Sequence, residues 1–575
     1  MSSFIVRYPS DLLVRKNINL PVEPLLQRIY SNRGVCSANE LVKELRFLHD
    51  PIALYNIKQA TNLLHTALSN RWRILIIADF DADGATSCAL AIRALRAFDV
   101  AWVSYRVPNR LEHSYGLTPE IVAVAAQDKP DLLITVDSGI SSDDGVRAAK
   151  NLGMRVLITD HHIPNFELPP ADVIINPNQV DDVFPSKCLA GVGVIFYVML
   201  ALRTHLRKAG WFEDRYEPNM AQFLDLVAIG TVADMVPLDH QNRILVEQGL
   251  KRIREGRCVP GITALCSIAG KDQHRLVASD IGFYLSPRLN AAGRLENMNQ
   301  SIECLICDDQ HMVQDLARNL DNINSKRIKI TKRMQIQASA YLENLQPNTI
   351  NLLFGICLFD RNWHPGIIGI IAGRLKDQLH RPVIVFAPGR CGQIKGSGRS
   401  IEGVHLHDVL SRIASAIPGL IDNFGGHAMA IGMTLDINQF EPFKQAFDTE
   451  IRCLLKAEEL HNRLWSDGEL EPEHFSIEMA VLIRDAGPWG QGFPEPMFDG
   501  IFEIVSQRVL KEQHLKLRLR PDGLAVQLEA IAFNQARNFH FSTGLRVRVA
   551  YHLEADQRDR VQRLQLRIKH IENIY

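Results

Sequence analysis

The chain has 575 residues, of which 46% are hydrophobic and 22% charged, so it is an ordinary globular protein of two to four expected domains. The formal net charge of −1 excludes a globally basic nucleic-acid-binding protein, and any polyanion site must come from local clusters. The sequence shows no secretory signal and no apolar run of membrane-spanning length, and its ten scattered cysteines complete no zinc site. We therefore expect a cytoplasmic protein with reduced thiols and no membrane contact.

The first informative element is a strand-like run over Ile74–Ala78 that ends in the sequence DFDADG at residues 79–84. Carboxylates at positions one, three and five before glycine also begin a calcium-binding EF-hand loop. However, the twelfth position holds Leu90 instead of glutamate, and a strand precedes the loop where an EF-hand has a helix. The residues after Gly84 are helix-like, so the carboxylates lie on a strand-to-helix turn. A polar turn with solvated aspartates is the alternative.

Two later strand-like runs also end in aspartate. Leu132–Val136 precedes Asp137, and Met154–Thr159 precedes Asp160, which His161 and His162 follow. Helix-like segments separate the runs, and a further run, Val173–Ile175, comes after them. Strands that alternate with helices in this way predict a parallel sheet, which binds ligands beyond the carboxyl ends of its strands.

The strand-terminal carboxylates of such a sheet converge at one edge, and they cannot all remain ionised without positive charge nearby. Oxygen ligands with one or two imidazoles suit two Mn²⁺ or Mg²⁺ ions, which activate water and clamp a phosphoryl oxygen. Asp234, at the end of the apolar segment 225–234, is a further candidate ligand, whereas Asp225 fits a helix-surface or capping residue. Helix capping by the strand-terminal aspartates is the alternative to a metal site. The residues expected to converge are Asp79, Asp81, Asp83, Asp137, Asp160, His161 and His162.

The rest of the chain predicts a long helix over about 309–346 and a second α/β block with strands at Leu352–Leu358 and Pro382–Ala387 around the helix Gly369–Gln378. In its segment Gly396-Ser397-Gly398-Arg399, the glycines would leave backbone amides accessible beside a hydroxyl and a guanidinium, and these three kinds of group suit a phosphate. The alternative is a glycine-rich turn with a solvated arginine. After Gly500, short runs alternate leucine or valine with arginine and predict a small barrel. Its arginine face either follows nucleic-acid phosphates or only confers solubility.

In motif and order, the chain resembles the DHH phosphoesterase superfamily, and within it the single-strand-specific DNA exonucleases. The motifs are DFDADG, Asp137-Ser138-Gly139, Asp160-His161-His162 and Gly230–Asp234. Supporting stretches lie at 108–110, 189–194, 287–295, 363–366, 396–400, 425–427 and 487–496. The resemblance implies a Rossmann-like DHH domain, a connecting helix, a DHH-associated α/β domain and a C-terminal OB-type barrel. The corresponding boundaries are 1–50 for an N-terminal segment, then 51–308, 309–346, 347–460 and 461–575.

The same resemblance implies a 5′-to-3′ exonuclease that releases 5′-mononucleotides from single-stranded DNA with Mn²⁺ or Mg²⁺, in DNA recombination and repair. It implies catalytic roles for Asp137, Asp160 and His162. The implied metal ligands are Asp79, Asp81, Asp83, Asp137, His161 and Asp234, and the implied substrate-binding residues are Arg110, Arg288, Ser397, Arg399 and His427.

The expected molecule is a monomer that could cooperate with a single-strand-binding protein and a DNA helicase, because duplex DNA must first be opened. Two other functions are weighed against the exonuclease. A phosphodiesterase of cyclic dinucleotides or short oligoribonucleotides would have no use for the barrel or the long helix. A catalytically dead DNA-binding scaffold would have no reason to keep mutually repelling carboxylates.

Overall fold

The computed structural model describes residues 4–9, 20–108, 116–344, 353–456, 460–535, 541–556 and 562–574. The chain divides into two compact units, one of Lys43–Lys456 and one that combines Met1–Val42 with Ala457–Tyr575. Within the described ranges, no helix has both the length and the hydropathy needed to cross a lipid bilayer.

The strands are β1 (Phe4–Arg7), β2 (Arg73–Ala78), β3 (Trp102–Arg106), β4 (Leu132–Val136), β5 (Arg155–Thr159), β6 (Val173–Ile175), β7 (Ile356–Phe359), β8 (Val383–Pro388), β9 (Gln393–Arg399), β10 (Asn423–Gly426), β11 (Ala430–Asp436), β12 (Arg463–Ser466), β13 (Phe498–Leu510), β14 (His514–Pro521), β15 (Leu528–Ala532), β16 (Arg546–Asp556) and β17 (Arg563–Asn573). The α-helices of seven residues or more are α1 (Pro24–Asn32), α2 (Ile57–Ser69), α3 (Ala82–Ala97), α4 (Pro119–Ala125), α5 (Asp143–Asn151), α6 (Gly191–Lys208), α7 (Leu224–Ala233), α8 (His240–Arg254), α9 (Pro260–Ile268), α10 (Ser286–Leu295), α11 (Asn299–Ile306), α12 (Gln310–Asn344), α13 (Ile368–Leu379), α14 (Leu406–Ala416), α15 (Phe440–Leu454) and α16 (Ile477–Asp485).

The first sheet of the larger unit has five parallel strands in the order β3-β2-β4-β5-β6. Its central strands are runs of isoleucine, leucine and valine that are buried on both faces, as parallel strands covered by helices require. Leu75, Ile77 and Leu133 pack on one face against the residues of α4 and α5. This arrangement confirms the predicted Rossmann-like sheet. The edge strand β3 was not predicted, because its partly exposed residues lack a continuous apolar run.

The second sheet of this unit is mixed, with the order β10-β11-β9-β8-β7, and only β7 and β8 run parallel. The predicted α/β block is confirmed, although β7 begins at Ile356, and the predicted strand start at Leu352 lies outside the described residues. The long helix α12 confirms the predicted helix, and its C-terminal half adds Met334 and Ala338 to the core of this block. The helix therefore connects the two α/β blocks.

The smaller unit contains a closed barrel with the strand order β13-β14-β15-β17-β16, which confirms the predicted OB-type fold. The leucines of β14, at 515, 517 and 519, are buried inside the barrel, as the alternating pattern predicted. The first residues of the chain, to which no role was assigned, also belong to this unit, because β1 pairs in parallel with β12. The proposed domain boundaries remain predictions.

Candidate metal centre and phosphate pocket

Three adjacent parallel strands each deliver one aspartate to the same edge of the first sheet. In the ladder, Ala78 pairs with Val136 and Val136 with Thr159, so the next residues, Asp79, Asp137 and Asp160, leave the sheet side by side. Asp137 has a left-handed backbone with φ of 61°, a conformation that aspartate tolerates better than most residues. All three aspartates are buried.

The turn into helix α3 supplies two more carboxylates. Asp81 is the N-cap of the helix and accepts hydrogen bonds from the amides of Asp83 (2.9 Å) and Gly84 (3.1 Å). The Asp83 carboxylate accepts from the amides of Gly191 (2.6 Å) and Val192 (3.0 Å), which begin helix α6. Position 191 requires glycine, because a Cβ there would lie 2.6 Å from the Asp137 carboxylate. The start of α6 therefore holds both aspartates in place.

Helix α7 ends beside the same cluster and contributes Asp234, its C-cap residue. A Cβ at Gly230, one turn earlier, would lie 2.7 Å from Asp83 Oδ1, so this glycine lets the helix approach the cluster. Asp225, at the other end of α7, is fully buried and accepts from the amides of Leu226 and Val259. Asp225 therefore links the start of α7 to the residue before α9. This buried position agrees with the expected capping role better than with a helix-surface role.

Three groups of side chains at this edge have ligand atoms within 4.8 Å of one another and could each hold a metal ion. Together they include every predicted metal ligand, and His162 in addition. The groups are Asp79 with Asp81 and Asp137, Asp83 with His161 and Asp234, and Asp137 with His161 and His162.

Burial is the main cause of the raised pKa values of the carboxyl groups in this cluster. It raises the pKa of Asp83 to about 7, with a further contribution from the Asp81 charge. Burial and the charges of neighbouring aspartates also raise the pKa values of Asp137 and Asp234 well above the usual range. The neighbouring His162 lowers the pKa values of Asp83 and Asp234 but does not cancel this effect. The cluster therefore has an excess of carboxylates, which is the state expected of a site that binds cations.

The imidazole of His161 fits a metal ion at this place. Burial, with the neighbouring His162, lowers the pKa of His161 to about 3, so the ring is neutral and keeps a lone pair. Its Nε2 atom lies 3.1 Å from Asp137 Oδ1 and 3.5 Å from Asp234 Oδ2. Within the described part of the chain, this buried nitrogen has no hydrogen-bond partner. Carboxylates facing a neutral imidazole nitrogen form a suitable donor set for Mn²⁺ or Mg²⁺.

Asp160 orients His162 and does not belong to the candidate metal groups. Its Oδ1 accepts from His162 Nδ1 at 2.7 Å and from the amides of His161 and His162, while Oδ2 accepts from the Ile140 amide. Burial opposes ionisation of both partners, yet their interaction lowers the pKa of Asp160 to about 2 and raises that of His162 to about 9. The His427 ring stacks on His162, with centroids 5.4 Å apart and an angle of 15°.

Ser397 and Arg399 meet at the first turn of helix α13. A Cβ at Gly369 would lie 2.9 Å from Ser397 Oγ and 3.2 Å from an Arg399 guanidinium nitrogen, so both side chains border this helix start. Arg399 is paired in the sheet with Ala430, whose carbonyl accepts from the His427 amide at 2.8 Å. The structure thus brings together three of the predicted substrate-binding residues, and His427 connects them to the metal centre.

The expectation that residues 396–399 offer free glycine amides is wrong. These residues form the end of β9, a central strand whose backbone pairs with β8 and β11. The glycines serve packing, because a Cβ at Gly396 would collide with Phe386 and Met433, and one at Gly398 with Ile431. Only the side chains of the motif remain for a ligand.

The other predicted substrate-binding residues are placed less clearly. Arg110 lies outside the described residues. Arg288 forms an ion pair with Asp321 at 2.8 Å. Two further arginines, Arg327 and Arg374, received no individual role from the sequence, and burial lowers the pKa of both. The charges of Arg374 and Arg288 lower the pKa of Arg327 further. The repulsion between Arg327 of α12 and Arg374 of α13 arises only in the tertiary structure, so no local sequence motif could have predicted it.

The barrel arginines fall into two groups, contrary to the single arginine face expected from the alternating runs. Ion pairs join Arg520 to Glu503, Arg546 to Asp522, Arg548 to Asp499 and Arg567 to both Glu495 and Glu554. In contrast, Arg508 and Arg518 have no acidic partner in the ranges that the structure describes. Arg508 lies opposite Lys516 on the outer face of β13 and β14, beside the edge-to-face pair of His514 and the half-exposed Phe533. We call Arg508, His514, Lys516, Arg518 and Phe533 the barrel platform.

Three family profiles match the chain: the DHH family N-terminal domain at residues 73–231, the DHHA1 domain at 350–452 and the RecJ OB domain at 466–570. The chain is 48% identical over 550 residues to the single-stranded-DNA-specific exonuclease RecJ of Dickeya dadantii, covering 95% of this chain and 96% of the relative. It is 47% identical to the protein of the same name from Escherichia coli, with 95% of each chain covered.

The structure of RecJ in complex with Mn²⁺ from Thermus thermophilus superimposes with a TM-score of 0.80 at 26% sequence identity. The match covers 99% of this chain and 79% of that one. The resemblance found in the sequence is therefore confirmed over nearly the whole chain. With this shared fold and near-half identity to curated members, the chain belongs to the RecJ family of exonucleases within the DHH superfamily.

Proposed function

We propose that this protein is a single-stranded-DNA-specific exonuclease that removes 5′-mononucleotides in the 5′-to-3′ direction, in DNA recombination and repair. The observation that carries the proposal is the group of five mutually repelling carboxylates and His161 at the edge of the first sheet. Family membership supplies the substrate class. The Ser397–Arg399 pocket supports action from a strand end, because a pocket for a terminal phosphate favours ends over internal sites.

Two Mn²⁺ or Mg²⁺ ions, when bound, would supply activation of water and neutralisation of the charge on the phosphoryl oxygens. Asp79, Asp81, Asp83, Asp137, His161 and Asp234 would hold them. Asp160 fixes the orientation of the His162 ring through Nδ1, and we assign the Nε2 atom of this ring to the scissile phosphate. His427 stacks on that ring and limits its rotation. The chain's own residues thus position the phosphate before hydrolysis begins.

We further propose that Ser397 and Arg399 bind the 5′-terminal phosphate. Arginine can bind a phosphate with two parallel hydrogen bonds, and the serine hydroxyl can donate a third. Arg399→Ala should raise KM mainly for 5′-phosphorylated strands. Arg390→Ala is the matched control, since Arg390 is an exposed arginine of the same α/β block. An equal effect of Arg399→Ala on 5′-hydroxyl strands would count against this pocket.

The barrel platform is the part of the smaller unit that we propose to contact single-stranded DNA. Its arginines carry charge that no described carboxylate neutralises, and Phe533 offers a ring on which any base can stack. The charges of the paired arginines elsewhere on the barrel are instead neutralised by neighbouring carboxylates. This division narrows the predicted arginine face to the outer surface of β13, β14 and β15.

The other proposals concern the cellular setting. A cytoplasmic location fits the ten free cysteines, because thiols stay reduced in that compartment. We propose a monomer that works with a single-strand-binding protein and a helicase, since the enzyme needs opened strands.

The test is a single-stranded oligonucleotide labelled separately at its 5′ and 3′ ends and incubated with Mn²⁺. Immediate release of a labelled mononucleotide from the 5′ end, gradual shortening of the 3′-labelled strand and inhibition by EDTA are expected. Hydrolysis of a dinucleotide without degradation of the strand would instead indicate the small-substrate phosphodiesterase. Tight binding without any hydrolysis would indicate a scaffold.

A further inference from the structure

Helix α10 contacts the metal-binding turn through its middle residues. Asn290 Oδ1 accepts a hydrogen bond from the Ala82 amide at 2.8 Å, directly within the DFDADG turn. One helical turn later, Gly293 packs against the Phe80 carbonyl oxygen so closely that a Cβ would overlap it. Both contacts involve the backbone of the turn that carries Asp79, Asp81 and Asp83. The position of this turn is therefore fixed relative to α10.

The C-terminal end of the same helix contacts the second α/β block. Arg294 donates to the Gly366 carbonyl oxygen at 3.2 Å, and Gly366 in turn packs against the Arg294 carbonyl oxygen with no room for a Cβ. Leu295 packs against the core of that block, which includes Trp363, Ile367 and Ile368. These contacts fix the block relative to the end of α10.

Gly366 lies just before helix α13, at whose first turn Gly369 borders Ser397 and Arg399. A single ten-residue helix is thus in close contact with the backbone that holds the metal ligands and with the backbone that leads to the phosphate pocket. Contacts between backbones vary less than contacts between long side chains, because they have no rotamers to change. The spacing of the two centres therefore depends on α10.

We infer that α10 acts as a spacer that sets the product length at one nucleotide, by fixing the distance between the cleaved phosphodiester and the pocket for the terminal phosphate. The inference rests on the proposed function, because it requires both a metal-dependent cut and a terminal-phosphate site. Asn290, Gly293, Arg294 and Gly366 are positioning residues in this view. They act through the Asp79–Asp83 turn and through the start of α13.

The experiment is the substitution Gly366→Ala in the full chain. The added methyl group would overlap the Arg294 carbonyl oxygen, and since carbon–oxygen contacts require about 3.3 Å, one backbone must move by roughly 1 Å. A displacement of this size lowers kcat by about 100-fold. A terminal phosphate can then no longer occupy the pocket while the first phosphodiester lies at the metal ligands. We therefore expect strands to bind without the pocket, which gives dinucleotides among the products and loss of the preference for 5′-phosphorylated over 5′-hydroxyl strands. A merely structural defect would slow the reaction without changing product length.

Gly282→Ala is the matched control, because its nearest neighbour would be Val232 at an ordinary contact distance of 3.7 Å, and this variant should release mononucleotides like the parent protein. Arg294→Gln, which removes the bond to Gly366, serves as a milder variant if Gly366→Ala does not fold. Mononucleotide products with an intact 5′-phosphate preference in whichever variant folds would overturn the inference. Failure of the parent protein to release mononucleotides from the 5′ end would instead overturn the proposed function.

Discussion

The candidate metal-binding edge of the first sheet and the barrel of the smaller unit both bury carboxylates, but Asp499 of the barrel has arginine partners that several aspartates of the edge lack. Asp499 is fully buried, yet its hydrogen bonds with Arg7, Ser466 and Arg548 outweigh burial and lower its pKa. At the sheet edge, burial and like charges raise the pKa values of Asp83, Asp137 and Asp234. A buried carboxylate with cationic partners remains ionised in the folded protein, whereas carboxylates buried among like charges weaken the fold and are typical of a site that binds a ligand.

The largest expected effect is at Asp137, which belongs to two of the three candidate metal groups. Asp137→Asn should lower the rate of hydrolysis by at least about 10³-fold, equivalent to roughly 4 kcal/mol, because it removes a shared ligand. It should also raise the Tm of the metal-free protein, since one of the repelling buried carboxyls is gone. Oligonucleotide hydrolysis in Mn²⁺ and thermal unfolding in EDTA measure the two effects.

Asp225→Asn is the control for that prediction. Asp225 is equally buried in the same block, and burial raises its pKa to about 6, but its carboxylate is occupied by the amides of Leu226 and Val259. This variant should keep most of the hydrolytic activity. If it were as inactive as Asp137→Asn, burial of a carboxylate alone, and not its place in the cluster, would explain the loss.

The opposite result is expected in the barrel. Asp499→Ala leaves Arg548 and Arg7 without their shared carboxylate. Because both arginines reach solvent, the expected loss of stability is about 1.5–3 kcal/mol, the range for hydrogen bonds to a charged group. Hydrolysis of a very short oligonucleotide at low temperature should nevertheless continue, because the metal ligands are untouched. Hydrogen exchange of β13 and β16 measures the loss of stability. Unchanged exchange with lost activity would reverse the roles assigned to the two regions.

The sequence predicted the positions of the strand-terminal aspartates better than it predicted the surroundings of residues 396–399 and of the barrel arginines, for a physical reason. Parallel strands bring their carboxyl ends together wherever they occur, so the strand pattern alone was enough to place Asp79, Asp137 and Asp160 at one edge. The family and the enzyme class carried by these motifs are confirmed by the relatives, which bear out the exonuclease over the small-substrate phosphodiesterase.

Contacts between segments that are distant in the chain could not be predicted from the sequence. The ion pairs of Arg520, Arg546 and Arg548 depend on which strands are neighbours in the closed barrel, and the alternating pattern of one strand does not contain that information. The glycines of residues 396–399 were expected to free backbone amides for a phosphate or to form a turn, whereas here they make room for Phe386 and Ile431 inside a sheet. Asn290 stood in a recognised motif, but its bond to Ala82 joins segments 208 residues apart.

A smaller effect concerns the pH dependence of barrel stability. Burial lowers the pKa of His552 to about 4, and its Nδ1 donates to the Pro496 carbonyl oxygen. Because this value lies below the 6.5 of an exposed histidine, the unfolded state binds more protons between pH 6.5 and 4. The stabilisation is therefore complete above pH 6.5 and decreases by up to about 3 kcal/mol as the pH falls to 4.

His552→Asn keeps a donor near the Nδ1 position and removes the titration. The free energy of opening of β16, measured by hydrogen exchange at pH 7 and pH 5, should fall with pH in the parent protein and change less in this variant. An equal decrease in both proteins would assign the acid sensitivity to other groups, such as Glu495, whose pKa is lowered by its neighbours His552 and Arg567 in spite of burial.

The smallest expected effect is a difference in DNA binding between a barrel arginine without a described acidic partner and a barrel arginine in an ion pair. Arg518→Ala removes a charge of the barrel platform that has no described acidic partner, so it should weaken binding of a long single strand several-fold. One lost phosphate contact should also reduce the slope of log affinity against log salt by about 0.7. Arg546→Ala removes a charge already paired with Asp522 and should change the slope less. Fluorescence anisotropy in EDTA, which prevents hydrolysis, measures the affinity and its salt dependence for both variants. Equal slopes for the two variants would mean that ion pairing does not decide which barrel arginines contact DNA.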